Sequence, residues 1–263
     1  AMAKLKTRMI AVANEKGGVG KTVTVINLGA ALQQEGRKVL VVDMDPQFNA
    51  TRGLGVEPAS DAPNIYDLLV KEEPVSVADV IVSTAWEGLD LVPSHVDLSG
   101  AEVELVDVPG RENRLKEAMA ETAGRYDFIL CDTPPSLSLL TINVLAYARE
   151  VLVPCQTHPY AYAALEELFD TIDAVGAEIN DRLKITGIMA TLFDQRTRVG
   201  NRILEKLRSD ERYGPLMLDT VIRANTTIAD SADVGKPVVY YRRSSFGAED
   251  YTALAREILS RGA

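Results

Sequence analysis

Along the chain, short unbroken apolar runs alternate with longer stretches in which apolar residues recur every three or four positions. The runs cover 8–13, 38–43, 89–93, 126–132, 151–155 and 185–193. Apolar runs of this length predict strands buried on both faces, the pattern of a parallel sheet. Helical spacing predicts a helix over 23–35, stopped by Gly36. It predicts another over 161–179, with Leu165, Leu168, Phe169, Ile172 and Val175 on one face. A third covers 248–259, turning Tyr251, Leu254, Ala255 and Ile258 inward. Positions 65–69 and 98–105 read as shorter helices, 47–57 as a loop, 216–222 as a short strand and 227–234 as a turn or short helix. Strand, crossover helix and strand make a right-handed unit by default. The expected class is therefore α/β, a doubly wound, mostly parallel sheet flanked by helices on both faces. No internal repeat or linker interrupts the pattern, so one domain over 1–263 is expected. Residues 1–7 read as a flexible lead, with Ala1 before Met2 as a cloning remnant.

The candidate chemistry sits where the first run ends. Ala13-Asn-Glu-Lys-Gly-Gly-Val-Gly-Lys-Thr-Val23 places a glycine-rich loop between a strand and a helix, the arrangement a phosphate-binding loop requires. Gly17, Gly18 and Gly20 let the backbone curl with its N–H groups inward. Lys21 offers a charge to β/γ-phosphates, and Thr22 offers a hydroxyl to Mg²⁺. The usual G-x-x-x-x-G-K-[ST] spacing is not met, because Glu15 stands where the first glycine would, and a second lysine, Lys16, lies inside the loop. Three further aspartates end apolar runs: Asp43, Asp45 two residues on, and Asp132 before Thr133-Pro-Pro135. Carboxylates at the C-terminal ends of parallel strands fall beside such a loop, within reach of Mg²⁺ and its waters.

Composition adds limits. The 263 residues are 46% hydrophobic and 25% charged, an ordinary globular balance. No apolar run is long enough to span a bilayer, and the start lacks a signal-peptide core. Cys131 and Cys155 lie in apolar runs and read as buried thiols of a cytoplasmic protein. The net charge is −10, but it is uneven. Positions 57–127 carry a net −11 and 182–208 a net +5. Trp86 reads as a packing residue, and His95 is assigned no role.

The chain resembles the ParA/Soj family of partitioning ATPases, which carry a deviant Walker A loop. The resemblance rests on Lys16–Thr22, Val41-Val-Asp-Met-Asp-Pro-Gln47, Asn49-Ala-Thr51, Gly53-Leu-Gly55, Leu91-Val-Pro-Ser94, Cys131-Asp-Thr-Pro-Pro-Ser136, Arg196-Thr-Arg198 and Gly247-Ala248. It implies a P-loop fold that binds ATP or ADP with Mg²⁺ through Lys16, Gly17, Gly18, Val19, Gly20, Lys21, Thr22 and Val23. It implies that Lys16 reaches across a homodimer to the partner's nucleotide. Asp45 would position the attacking water, so that Lys16, Lys21 and Asp45 carry hydrolysis. Thr22, Asp43 and Asp132 would serve the metal, and Arg223 with Asn225 the adenine. The implied biology is a slow ATPase at the nucleoid. Its ATP-bound dimer holds DNA non-specifically, a ParB-like partner stimulates hydrolysis, and the cargo is a chromosome, plasmid or protein assembly.

Three departures bear on this picture. Val23 replaces a second threonine, Thr227 replaces an arginine expected in the DNA contact, and Phe246 stands at a basic position before the final Gly-Ala. The DNA candidates are then Arg198, Arg202 and Lys206, four apart on one helix, with Arg223, Lys236, Arg242 and Arg243. An alternative is the same switch with a protein-binding, scaffold output and no DNA. A membrane-cycling role like that of MinD would need an amphipathic C-terminal helix, which 255–263 does not resemble.

Overall fold

A computed structural model describes residues 6–57, 61–71, 73 and 75–261. In chain order the strands are β1 (Arg8–Val12), β2 (Val39–Asp43), β3 (Val82–Ser83), β4 (Leu89–Val92), β5 (Phe128–Asp132), β6 (Glu150–Gln156) and β7 (Lys184–Thr191). The α-helices of the first half are α1 (Lys21–Gln34), α2 (Asn49–Gly53), α3 (Ile65–Val70), α4 (Val77–Val80), α5 (Ala101–Glu104) and α6 (Arg114–Ala118). Those of the second half are α7 (Leu139–Tyr147), α8 (Ala161–Glu178), α9 (Arg198–Ser209), α10 (Thr226–Asp233), α11 (Val238–Tyr241) and α12 (Phe246–Arg261).

The strands form one seven-stranded sheet in the order β3-β4-β2-β5-β1-β6-β7. All neighbours are parallel except the β3–β4 edge pair. Successive residues of a strand point to opposite faces, and here both faces are covered. Ala11, Leu40, Val42, Ile129 and Cys131 join the core beneath α3, α7 and α8. Ile10, Val12, Val39, Val41 and Leu130 join the opposite core, beneath α1, α11 and α12. Two-sided burial is why the runs read as continuous rather than alternating. The sheet order brings the C-terminal ends of β1, β2 and β5 side by side, with Val12 opposite Asp132 and Asp43 opposite Asp132.

Four expectations change. The 47–57 loop contains α2, whose Thr51 is locked to Asp43. The 98–105 helix begins as a 3₁₀ turn, Val96–Gly100, before α5. No regular strand forms over 216–222: Leu218 and Ile222 donate to Ile188 and Ala190 of β7 at 2.8 and 2.9 Å. Between them the amides of Asp219 and Thr220 turn away to Glu257 of α12, both at 2.8 Å. Finally, residues 1–5 of the expected lead lie outside the described residues, whereas Thr7 is buried and its hydroxyl donates to the Tyr126 carbonyl at 2.7 Å. Trp86 packs as expected, stacking on Tyr240 with ring centroids 5.3 Å apart. His95 is half-buried and caps the 3₁₀ turn by accepting from the Asp97 amide.

Candidate active site

The loop after β1 is held open by its neighbours. Asn14 donates to the Pro154 carbonyl of β6 at 2.8 Å and accepts the Lys16 amide at 2.9 Å. Thr191, at the end of β7, donates to the Val19 carbonyl at 2.8 Å. Thr133 donates to the Val12 carbonyl at 2.9 Å. Gly18 and Gly20 take positive φ of 74° and 90°, a left-handed backbone that glycine adopts without strain. Gly20 is also the cap residue of α1 and contributes no side-chain hydrogen bond. The first amides of α1 therefore face the loop with no capping group, which makes them an anion site.

Charge gathers at the same point. Lys21 is buried, and its ammonium donates to the Lys16 carbonyl at 3.1 Å. Burial lowers its pKa, while Asp132 and Asp45 act in the opposite sense. The Thr22 hydroxyl donates to Asp132 Oδ2 at 2.7 Å. Asp132 Oδ1 is buried and has no hydrogen-bond partner. Burial raises the Asp132 pKa, and the neighbouring Asp43 carboxylate raises it further. A buried carboxylate beside a hydroxyl, with one oxygen unsatisfied, fits a hard divalent cation. Among the described residues no cluster of three His, Cys, Asp or Glu could hold a metal alone. Mg²⁺ needs only one or two protein oxygens and completes its shell with water and phosphate.

Asp43 and Asp45 divide the remaining work. Asp43 is fully buried, and its Oδ2 accepts the Thr51 amide and hydroxyl at 2.8 and 2.7 Å, while Oδ1 accepts the Asp45 amide. Burial pushes its carboxyl up to about 6. With both oxygens engaged, Asp43 braces the loop that carries Asp45. Asp45 Oδ1 accepts the Gln47 amide at 2.9 Å, and its carbonyl accepts the Ser94 hydroxyl at 2.7 Å. Phe48, three residues on, has a φ of 45° and its ring lies under the Arg52 guanidinium at 4.2 Å. Strained non-glycine backbone of this kind is concentrated at functional sites. Asn14, Thr51, Ser94, Thr133 and Thr191 went unnoticed in the sequence as site residues. Thr51, Ser94 and Thr133 lie in the stretches that carry the family resemblance, whereas Asn14 and Thr191 offered only a lone polar side chain at the end of an apolar run.

A family model described as an AAA domain matches residues 7–185. The sporulation initiation inhibitor protein Soj of Bacillus subtilis (strain 168) is 42% identical over 255 residues, covering 97% of this chain and 99% of Soj. The chromosome partitioning protein ParA of Myxococcus xanthus is 41% identical over 97% of this chain and 88% of its own length. The chain belongs to the ParA/Soj family. Among solved structures, the cobyrinic acid a,c-diamide synthase of Mycobacterium smegmatis, with bound ADP and magnesium, superposes with a TM-score of 0.82 at 36% identity. That match covers 96% of this chain and 94% of the synthase.

The residues that only the ParA/Soj resemblance nominated fall in several places. Lys16 lies at the loop surface, half-buried, with no ion-pair partner among the described residues. Arg223 is not free. Its guanidinium pairs with Asp250 at 2.6 Å and Glu249 at 3.2 Å, and lies over the Phe246 ring at 4.1 Å. Its charge is therefore paired within the chain and one face of its plane is covered by Phe246. Asn225 caps α10, its side-chain oxygen accepting the Thr227 amide at 2.8 Å, so only its amide nitrogen remains to serve a base. A cleft of about 650 Å³ opens beside Thr22 and Val23, between α2 and the end of α10. Neither Arg223 nor Asn225 lines it. On α9, Arg198, Arg202 and Lys206 are all exposed, with the Lys206 ammonium over the Tyr162 ring at 4.4 Å. Lys236, Arg242 and Arg243 are exposed.

Proposed function

We propose that this protein is an ATPase that works as an ATP-dependent dimerisation switch, in the partitioning manner of its ParA/Soj relatives. The observation that carries the reading is the Thr22–Asp132 pair at the mouth of an uncapped helix, with one buried carboxylate oxygen left for a cation. The loop amides and Lys21 bind the ATP phosphates, and Lys21 leaves the Lys16 carbonyl to do so. Thr22 and Asp132 would hold Mg²⁺, which would supply positive charge to the bound phosphates. Asp45 orients the attacking water, and Asp43 keeps Asp45 in place. Phosphoryl transfer needs positioning and charge rather than covalent chemistry, and these groups provide both. Lys16 has no local partner, which supports a role on a second copy's nucleotide. The ATP-bound dimer then holds DNA through Arg198, Arg202, Lys236, Arg242 and Arg243, each present twice. A ParB-like partner triggers hydrolysis and release, which makes the protein cytoplasmic and nucleoid-associated. No described helix is long and apolar enough to cross a membrane.

A second reading, an amide-forming enzyme, draws on the 36% identity to the diamide synthase. Both cysteines are buried in strands, and burial pushes the Cys155 thiol up to about 12, so neither is a nucleophile for releasing ammonia from an amide donor. The test is DNA retention by the Asp45→Ala protein with ATP, ADP or no nucleotide, at two salt concentrations. Retention only with ATP, weakening with salt, is expected. Its absence would overturn the DNA arm and leave a protein-directed switch.

A further inference from the structure

The end of the sheet opposite the phosphate loop carries a second concentration of charge. A cleft of about 1000 Å³ opens along the N-terminal ends of β1, β5, β6 and β7. Its walls carry Arg37, Arg149, Arg182 and Lys184, together with Lys6 and Arg261. Only two acids line it, and both are engaged. Glu150 is held by Arg8 through two hydrogen bonds of 2.8 and 2.6 Å and by Thr186 at 2.6 Å. Asp127 accepts the Lys38 amide at 2.8 Å. Among the described residues, Lys6, Arg37, Arg149, Arg182 and Lys184 form no ion pair. The Arg37 Nε is buried and has no hydrogen-bond partner.

In a chain of net charge −10, five unpaired cations converging on one hollow repel one another, and an anion relieves that repulsion. A second cleft of about 1120 Å³ continues from the first, sharing Lys6, Thr7, Met9, Arg149 and Arg182. Met119, Ile129, Tyr147 and Ile179 give it an apolar wall, and Lys116, Glu117 and Asp181 also line it. The combined space is cationic at one end and carries an apolar wall at the other. Convex duplex DNA offers phosphates but no apolar body to fill the second half, whereas a small molecule with both fits.

We infer that this bipartite cleft binds an organic polyphosphate, a molecule with clustered phosphates on an aromatic or apolar body, at a site distinct from the ATP loop. The phosphates lie among Arg37, Arg149, Arg182 and Lys184, and the body lies against Met119, Tyr147 and Ile179. β1 connects the two sites, with Arg8 at one end and Asn14 just beyond the other.

The test uses the full chain saturated with ADP and Mg²⁺, so that the phosphate loop is filled. Inorganic tripolyphosphate and guanosine tetraphosphate are titrated by calorimetry. One saturable site per chain is expected for each, with the nucleoside form tighter by about tenfold. Arg182→Glu with Lys184→Glu, both exposed positions, lowers both affinities by about tenfold or more while ADP binding stays unchanged. The neutral pair Arg182→Gln with Lys184→Gln gives an intermediate reduction and serves if the reversed pair does not fold. Ile179→Asp removes the advantage of the nucleoside form and leaves tripolyphosphate binding in place. No saturable binding to the ADP-loaded wild type would overturn the assignment, as would equal binding by the charge-reversed pair. If duplex DNA binds there, is released by the charge reversal, and the small polyphosphates do not bind, the cleft is a nucleic-acid surface and the assignment fails.

Discussion

Asp132 shows how one atom can specify a ligand. Its Oδ2 takes the Thr22 hydroxyl, and its Oδ1 stays buried without a partner. An unsatisfied buried carboxylate oxygen is costly, so a cation that completes it binds with much of the desolvation already done. Asp132→Asn is therefore expected to lower Mg²⁺-dependent ADP affinity by about 10–100-fold, with little change in metal-free binding, as read by titration with a fluorescent ADP. Arg223 teaches the reverse lesson. In sequence it is one more arginine, but Asp250, Glu249 and Phe246 enclose it. Arg223→Ala should lower the melting temperature yet leave the salt dependence of DNA retention intact. Arg198→Ala with Arg202→Ala should make log affinity fall less steeply with log salt, the slope shrinking by about one for each phosphate the side chains no longer neutralise.

At the scale of elements, the outcome followed the number of partners each segment needs. β1, β2, β5, β6, α8 and α12 were legible because buried strands and one-sided helices write their environment into a local pattern, and α1, buried on most sides, was legible from the glycine loop before it and Gly36 after it. α7 was not recognised, since it is buried on most sides and shows no polar face to give a period. α2 is five residues long and exists because Asp43 captures Thr51. The 216–222 segment has strand-like residues, but Glu257 removes two of its amides from β7. Its approach to β7 also needs Gly187, where an added Cβ would lie 2.5 Å from Leu218 Cδ2. Gly187→Ala should destabilise the fold by about 1–3 kcal/mol in denaturant titrations, with ADP affinity preserved. Nearby, at the start of β6, Glu150 ties β6 to Arg8 of β1 and Thr186 of β7. Burial alone would raise its pKa, but hydrogen bonds from Arg8 and Thr186 and the nearby charges of Arg8 and Lys184 leave it lowered. A carboxylate lowered on folding stabilises the protein above its unfolded pKa and loses that contribution as pH falls through the folded value. Glu150→Gln should cost about 2 kcal/mol at neutral pH and flatten the decline of the melting temperature below roughly pH 4.5, measured by a pH series of thermal melts.

At the scale of the whole molecule, charge is sorted along the sheet axis. The ATP loop, its aspartates and Lys16 occupy one end, and unpaired cations occupy the other. At the first end, Lys16 has no ion-pair partner among the described residues, which fits the proposed role on a second copy's nucleotide. Lys16→Ala should abolish ATP-driven dimerisation while leaving nucleotide binding by the monomer within about threefold, as read by sedimentation velocity and titration. A wild type that stays monomeric with a non-hydrolysable ATP analogue would count against a dimer joined through Lys16 and the partner's nucleotide.

The sequence alone determined the parallel sheet, the phosphate loop and the aspartates at its rim. Each depends on residues adjacent in the chain, where period and spacing record the local backbone and its burial. Tertiary structure alone decided that Asp43 has both oxygens engaged while Asp132 keeps one buried oxygen without a partner, because that depends on which oxygens Thr51 and Thr22 reach. It also decided that Arg223 and Lys206 are engaged, and that cations from four strand ends share one cleft. Those are meetings of residues far apart in the chain, and a one-dimensional pattern carries no record of which charges the fold will pair.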